Sequence, residues 1–155
     1  MIALRFAESE EDMLRIRELF LEYASSLGFS LGFQNFDDDI MNLPGKYGRP
    51  KGRLILALDD EEIVGCVALR EFDKDICELK RLYVKKESRG KGIGKLLTEK
   101  VIDEAISIGY SRMRLDTIDN MTQAMTLYRS MGFKEINAYR ENPIEGARYF
   151  ELILK

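Results

Sequence analysis

A glycine-rich loop between a predicted strand and a predicted helix limits the folds open to this chain more than any other feature. The loop is Arg89-Gly90-Lys91-Gly92-Ile93-Gly94, which follows the strand-like run 78–84 and precedes the helix-like run 95–108. The first backbone N–H groups of a helix have no partner inside it, and the helix dipole adds positive potential there. Because alternating glycines expose these groups, the loop predicts a phosphate-type anion site.

The charges around this loop support that prediction. The basic residues in and beside it are opposed locally by Glu87 alone, whereas the whole chain carries a formal net charge of −3. These basic residues are Lys85, Lys86, Arg89, Lys91 and Lys95. A negative chain without a broad basic face argues against a nucleic-acid partner, so a small anionic ligand is favoured.

Length and composition predict one soluble globular domain, 1–155. The chain has 155 residues, of which 45% are hydrophobic and 33% charged, and no apolar run approaches the roughly 20 residues of a membrane span. We therefore expect a cytoplasmic protein with no membrane partner. Cys66 and Cys77 both lie in apolar strand-like runs, which favours buried thiols over a disulfide and supplies no metal site.

The chain contains no histidine. Acid–base chemistry must then use carboxylates, tyrosine, lysine, cysteine, water or a terminus, and Ser-His and Cys-His mechanisms are excluded.

Hydrophobic periodicity predicts the order β-α-α-β-β-β-α-β-α-β-β, which is a mixed α/β layer structure. The predicted strands are 2–6, 53–58, 63–70, 76–84, 113–117, 133–138 and 147–154. The predicted helices are 9–27 with Ser9 as its cap, about 37–43, 95–108 and 120–131. The aromatic loop 29–36 is either a lid packed on the core or a wall facing a substrate.

The spacing of the glycines separates the known phosphate loops. A Walker A loop needs Ser or Thr after Gly94-Lys95, where this chain has Leu96, and a dinucleotide fingerprint needs a third glycine where it has Lys95. The loop matches R-x-x-G-x-G instead, through Arg89, Gly92 and Gly94. With the run 78–84, Leu127-Tyr128 and Met131-Gly132-Phe133 in the same order and spacing, the chain resembles the GNAT superfamily of N-acetyltransferases.

The resemblance implies an acyl-CoA N-acyltransferase fold, an α/β (α+β) structure whose mixed, mostly antiparallel sheet has about six or seven strands flanked by about four helices. It also implies an acetyl-CoA site in which strand backbone pairs with the pantetheine arm, the loop amides hold the pyrophosphate, and Lys91 or Lys95 adds charge. The implied cofactor-binding residues are Leu82, Tyr83, Val84, Arg89, Gly90, Lys91, Gly92, Ile93, Gly94 and Lys95.

By the same resemblance, Tyr128 is the acid that protonates the departing thiolate, since a phenol with a pKa near 10 holds its proton at neutral pH. The alternative is a core aromatic at helical spacing. Glu78 matches the position of a general base, with Asp116 as the rival base and a solvated strand glutamate as the alternative. Met121 departs from the family pattern, because many relatives carry an asparagine that contacts CoA there.

The segment 139–148 is expected on the acceptor side, where Phe33, Asn142 and Arg148 are the candidate substrate-side residues and Arg140 or Arg148 is suited to a carboxylate; a solvated hairpin loop is the alternative. The predicted function is direct transfer of acetyl from acetyl-CoA to a primary amine of a small molecule or peptide, without a metal. A CoA-binding sensor or interaction module is the alternative. The acceptor, an acyl group other than acetyl, and a homodimer stay open.

Overall fold

The computed structural model describes residues 1–27, 36–119, 121–142 and 144–155. They form one seven-stranded sheet with helices on both faces. The strands are β1 (Ile2–Phe6), β2 (Arg53–Asp59), β3 (Glu62–Asp73), β4 (Ile76–Val84), β5 (Arg112–Ile118), β6 (Lys134–Ile136) and β7 (Ala147–Ile153). The helices are α1 (Glu10–Leu27), α2 (Phe36–Met41), α3 (Ile93–Ile108) and α4 (Thr122–Ser130).

The order of elements is the predicted one, most elements start or end one to three residues from the predicted positions, and three of these differences affect the site or the sheet edge. β3 continues beyond Arg70 because its last residues still pair with the start of β4. β6 is only three residues long and pairs with β7 at the sheet edge. α3 begins at Ile93, two residues before the predicted start, because Gly92 acts as its N-cap.

The sheet separates between its two central strands. Its order is β1-β2-β3-β4-β5-β7-β6, and every neighbouring pair is antiparallel except β4 and β5. This parallel pair is in register only from Ile76 opposite Arg112 to Glu78 opposite Arg114. Beyond Glu78 the two strands have no paired residues, so a cleft opens between the ends of β4 and β5.

β4 carries a β-bulge at the mouth of this cleft. Lys80 pairs with Ala68 and Tyr83 with Cys66, so Arg81 and Leu82 together face one residue of β3. Arg81 has φ of 57°, in the left-handed region that a non-glycine residue adopts at a cost of about 1–3 kcal/mol. Its guanidinium lies 3.2 Å from Asp39 of α2. Asp39 Oδ2 also accepts a hydrogen bond from the Tyr47 hydroxyl at 2.6 Å. Through Asp39, α2 is therefore linked to the side chain of the bulge residue Arg81.

Two cores cover the two faces of the sheet. On one face α3 buries residues four apart, including Leu97 and Val101, and each such burial contributes about 1.5–3 kcal/mol. On the other face α1 buries Ile16 and Phe20. The Ser9 hydroxyl accepts the Asp12 N–H at 3.0 Å and so caps α1. No helix in the described part of the chain is long and apolar enough to cross a bilayer.

Candidate active site

A groove of about 630 Å³ runs along the sheet where β4 and β5 separate. Leu82, Tyr83 and Val84 form one wall, and Ile118 with the start of α4 forms the other. The glycine loop closes one end of the groove. The structure therefore brings the predicted β4 residues and most of the predicted loop residues to one elongated cavity.

The glycine loop holds its shape through backbone conformation. Gly90 has φ of 86° and Gly92 has φ of 77°, and a Cβ added to either would meet no atom within 4 Å. The need for glycine thus comes from the left-handed backbone and not from crowding. The first hydrogen bond of α3 runs from the Leu96 N–H to the Gly92 carbonyl at 3.1 Å. The N–H groups of residues 93–95 precede that bond and lie at the end of the groove.

The basic side chains of the loop divide between the groove and the outer surface. Arg89 and Lys95 line the groove, and Arg89 Nε donates to the Val84 carbonyl at 3.0 Å. Lys91 instead places its Nζ 3.0 Å from Asp59 Oδ2, at the end of β2. Of the two lysines that the sequence left as alternatives, the structure brings Lys95 to the groove and pairs Lys91 elsewhere.

A smaller inner pocket of about 70 Å³ continues the groove between the parted strands. That volume suits a group the size of a few water molecules, each of which takes about 30 Å³ in the liquid. The residues lining both cavities are Tyr23, Leu27, Leu82, Ile118, Met121 and Ala124. The groove and the inner pocket are therefore adjacent.

Tyr128 lines the inner pocket from α4. Its side chain is buried, and its ring centroid lies 5.6 Å from that of Phe133 and 6.4 Å from that of Phe150. Burial raises the pKa of the phenol above its usual value, so the hydroxyl holds its proton at neutral pH. Tyr128 is thus a core aromatic whose side chain also lines the inner pocket.

Lys80 and Asp116 form a buried pair in the same pocket. Lys80 Nζ lies 3.9 Å from Asp116 Oδ1, and Asn142 Nδ2 donates to Asp116 Oδ2 at 3.4 Å. Burial lowers the pKa of the Lys80 ammonium to about 8, against the opposing effect of the neighbouring carboxylates. Asn142 is therefore the predicted acceptor-side residue that the structure places at the pocket.

Glu78 lies behind this pair and lines neither cavity. Its side chain is 0% exposed and is held by Arg70 Nε at 3.0 Å, by the Tyr139 hydroxyl at 2.7 Å and by Arg140. Burial alone would raise the pKa of the carboxyl, but the Lys80 and Arg140 charges outweigh it and hold the pKa at about 2. The structure thus makes Glu78 a very weak base enclosed by cations.

The remaining predicted residues lie elsewhere. Phe33 falls outside the described residues. Arg148 pairs with Glu135 of β6, and because Tyr149 lies opposite Asp116, strand alternation turns Arg148 to the other face of the sheet. Cys66 and Cys77 are buried free thiols, and burial raises the pKa of the Cys77 thiol to about 12.

Sequence reasoning missed two parts of the site. It gave Lys80 no role, although Lys80 follows Glu78 by two residues and strand alternation puts both on one face. It also missed the bulge at Arg81, because nothing in the composition marks a non-glycine residue that adopts a left-handed backbone conformation.

The parted seven-stranded sheet, the glycine loop at α3 and the tyrosine pocket are those of an acyltransferase. Residues 13–133 match the family model described as Acetyltransferase (GNAT) family, and the chain belongs to that family. This confirms the predicted family, fold and enzyme class.

Individual proteins agree with this assignment. The chain is 40% identical to an uncharacterized N-acetyltransferase of Schizosaccharomyces pombe, over 97% of this chain and 94% of that one. A GNAT-family acetyltransferase structure from Staphylococcus aureus superposes with a TM-score of 0.82 at 25% identity and covers 100% of both chains. The PaiA N-acetyltransferase of Thermoplasma acidophilum, in complex with coenzyme A, has a TM-score of 0.73 at 20% identity and covers 99% of each chain.

Proposed function

We propose that this protein transfers an acetyl group from acetyl-CoA directly to a primary amine of an acceptor. The observation that carries the proposal is the adjacency of the groove and the inner pocket, which puts the loop amides on one side of their shared lining and Tyr128 and Asp116 on the other. Coenzyme A in the Thermoplasma acidophilum neighbour supports the choice of donor.

The groove offers acetyl-CoA three kinds of contact. The N–H groups of residues 93–95 and the charge of Lys95 suit the pyrophosphate. The edge of β4 from Leu82 to Val84 has lost its neighbour on the β5 side, so it suits the amide-bearing pantetheine arm. The acetyl group then lies in the inner pocket, whose volume of about 70 Å³ fits it.

The bulge supplies the carbonyl of the thioester with a donor. Arg81 and Leu82 share one partner residue on β3, so the bulge interrupts the regular ladder at these two residues. In our proposal the Leu82 amide donates to the carbonyl oxygen as negative charge develops on it. A backbone donor fixed by a strained residue needs little rearrangement during the reaction.

The proton steps fall to residues of the inner pocket. The acceptor ammonium gives a proton to Asp116, directly or through a water molecule, and the amine nitrogen bonds to the carbonyl carbon as the carbon–sulfur bond breaks. Tyr128 gives its phenolic proton to the sulfur, and the resulting phenolate regains a proton, through water, from the second proton that the bonded nitrogen loses as the amide forms. Asp116 lines the pocket whereas Glu78 lies behind it with a pKa of about 2, so we favour Asp116 over Glu78 as the base.

Acetyl-CoA turnover against a panel of amines, with free CoA thiol detected, tests the proposal. Thiol release that depends on an amine supports direct transfer. Binding of acetyl-CoA without thiol release from any amine would contradict the proposal and favour the alternative of a CoA-binding sensor.

A further inference from the structure

Three arginines converge on one pair of aromatic rings beside the inner pocket; we call Arg70, Arg114 and Arg140 the arginine cluster. The rings of Phe72 and Tyr139 meet edge to face with centroids 5.0 Å apart. The guanidinium carbons of the cluster lie 5.5–5.8 Å from the Phe72 centroid. Stacking of this kind holds a guanidinium plane in a fixed orientation.

The arginine cluster is connected to the inner pocket through one carboxylate. Arg70 Nε lies 3.0 Å from Glu78 Oε1, and Lys80 Nζ lies 4.0 Å from the same oxygen. Because both nitrogens contact one atom, Arg70 Nε and the pocket-lining Lys80 Nζ lie at most about 7 Å apart, a distance in the range of an extended amino acid or a short peptide acid. All these side chains belong to the sheet face turned away from α3, since the alternate residues Cys77 and Leu79 pack in the core on the α3 side.

The cluster carries more positive charge than its neighbours neutralise. Among the described residues on this part of the sheet, five cations face three carboxylates, in a chain of net charge −3. The cations are Arg70, Lys80, Arg112, Arg114 and Arg140, and the carboxylates are Glu78, Asp116 and Glu151.

The arginines of the cluster are neither sealed off nor fully hydrated. Their side chains are 20%, 21% and 19% exposed for Arg70, Arg114 and Arg140. Positive charge in excess of its partners is costly where water is largely excluded, and an anion that reaches the outer edges of these groups removes that cost. Planar guanidiniums in a fixed orientation suit a carboxylate in particular.

We propose that the acceptor is an amine that carries a carboxylate, which binds the arginine cluster while the amine lies against Asp116 in the inner pocket. This inference rests on the proposed acetyl transfer. In this arrangement the acceptor's carboxylate lies on the side of Glu78 that faces away from the pocket. The role of Glu78 is to position Arg70 and Arg140 through their hydrogen bonds to its carboxylate. Glu78 is then a positioning residue.

Matched pairs of amines test the acceptor class. Each pair joins an amino acid or peptide acid to its amide, such as β-alanine with β-alaninamide and aspartate with its diamide, and kcat/KM is measured for both. We expect the carboxylate member to exceed its amide by about tenfold or more in the best pair. Equal or faster acetylation of the amides across all pairs would overturn the inference while leaving acetyl transfer intact. Absence of turnover with every amine would overturn the proposed function and this inference with it.

Substitutions locate the effect. Arg114→Gln should raise the KM for the preferred carboxylate amine about tenfold, with unchanged affinity for acetyl-CoA and unchanged KM for the matching amide. Arg112→Gln is the matched control, because Arg112 pairs with the same Glu151 at 3.3 Å but is 49% exposed and takes no part in the ring stacking described. Arg70→Lys keeps the charge beside Glu78 and removes the fork, so it should reduce the preference while preserving the fold. Equal effects of Arg114→Gln and Arg112→Gln would overturn the assignment to the cluster.

Discussion

The groove and the arginine cluster are built from different parts of the chain, the first from main chain and the second from side chains. The groove is built mainly from main chain: two glycines with positive φ, the first N–H groups of α3 and a stretch of β4 that is paired with β3 but not with β5. The arginine cluster is built from side chains that lie over one or both of two rings, and two of them, Arg70 and Arg140, share the buried carboxylate of Glu78. Main-chain recognition tolerates change in side chains and suits a constant donor, whereas a side-chain site is altered by single substitutions and suits a changeable acceptor.

The largest expected effect breaks the groove alone. Gly92→Glu forces a side chain onto a left-handed backbone and sets a carboxylate against the pyrophosphate, so affinity for acetyl-CoA should fall about 100-fold or more. Calorimetric titration with acetyl-CoA measures it. Gly109→Glu is the control, because Gly109 ends the same helix with φ of 112° and a Cβ there also meets no atom within 4 Å. Similar losses in both variants would show that helix stability, not ligand contact, is responsible.

Tyr128→Phe separates chemistry from both binding regions. Removal of the phenolic proton should lower kcat about tenfold or more and leave the KM values for acetyl-CoA and amine nearly unchanged. Tyr110→Phe is the control, since Tyr110 is also buried but donates to the Lys51 carbonyl at 2.7 Å, far from the pocket. Unchanged kcat in Tyr128→Phe would remove this residue from the mechanism.

Asp116→Asn tests whether the general base is Asp116 in the inner pocket or Glu78 beside the arginine cluster. Without the carboxylate, kcat/KM for the amine should fall about tenfold at pH 7 and recover at alkaline pH, where the amine loses its proton unaided. The pH profile of kcat/KM measures this recovery. If Glu78→Gln shows the same alkaline recovery and Asp116→Asn does not, the base is Glu78.

The smallest expected effect concerns stability at low pH. The folded state holds the pKa of Glu78 at about 2, below its ordinary value of 4.5. The carboxylate therefore contributes roughly 3 kcal/mol that is present above about pH 5 and is lost progressively as the pH falls toward 2. Urea unfolding between pH 7 and pH 3 measures it. Glu78→Gln should lose this part of the pH dependence, and an unaltered pH dependence would contradict the assignment.

The groove was the part of this molecule that the sequence could predict. Gly90 and Gly92 are glycines, which favour the left-handed backbone seen here, and their spacing from the run 78–84 predicted that they lie beside β4. The order of strands and helices along the chain followed from hydrophobic periodicity and turn residues. The arginine cluster could not be predicted from the sequence. Arg70 reaches Glu78 through the pairing of β3 with β4, and Arg140 reaches it from the loop before β7. Likewise, the enclosure of Glu78 depends on partners 61 and 62 residues away.

Through the ion pair between Asp39 and Arg81, the segment around α2 influences the shape of the cleft. Asp39, Lys46 and Tyr47 line neither the groove nor the inner pocket, yet their contacts end on the residue that shapes the β4 bulge. A substitution in this segment changes the reaction centre by moving main chain and leaves its chemical groups in place.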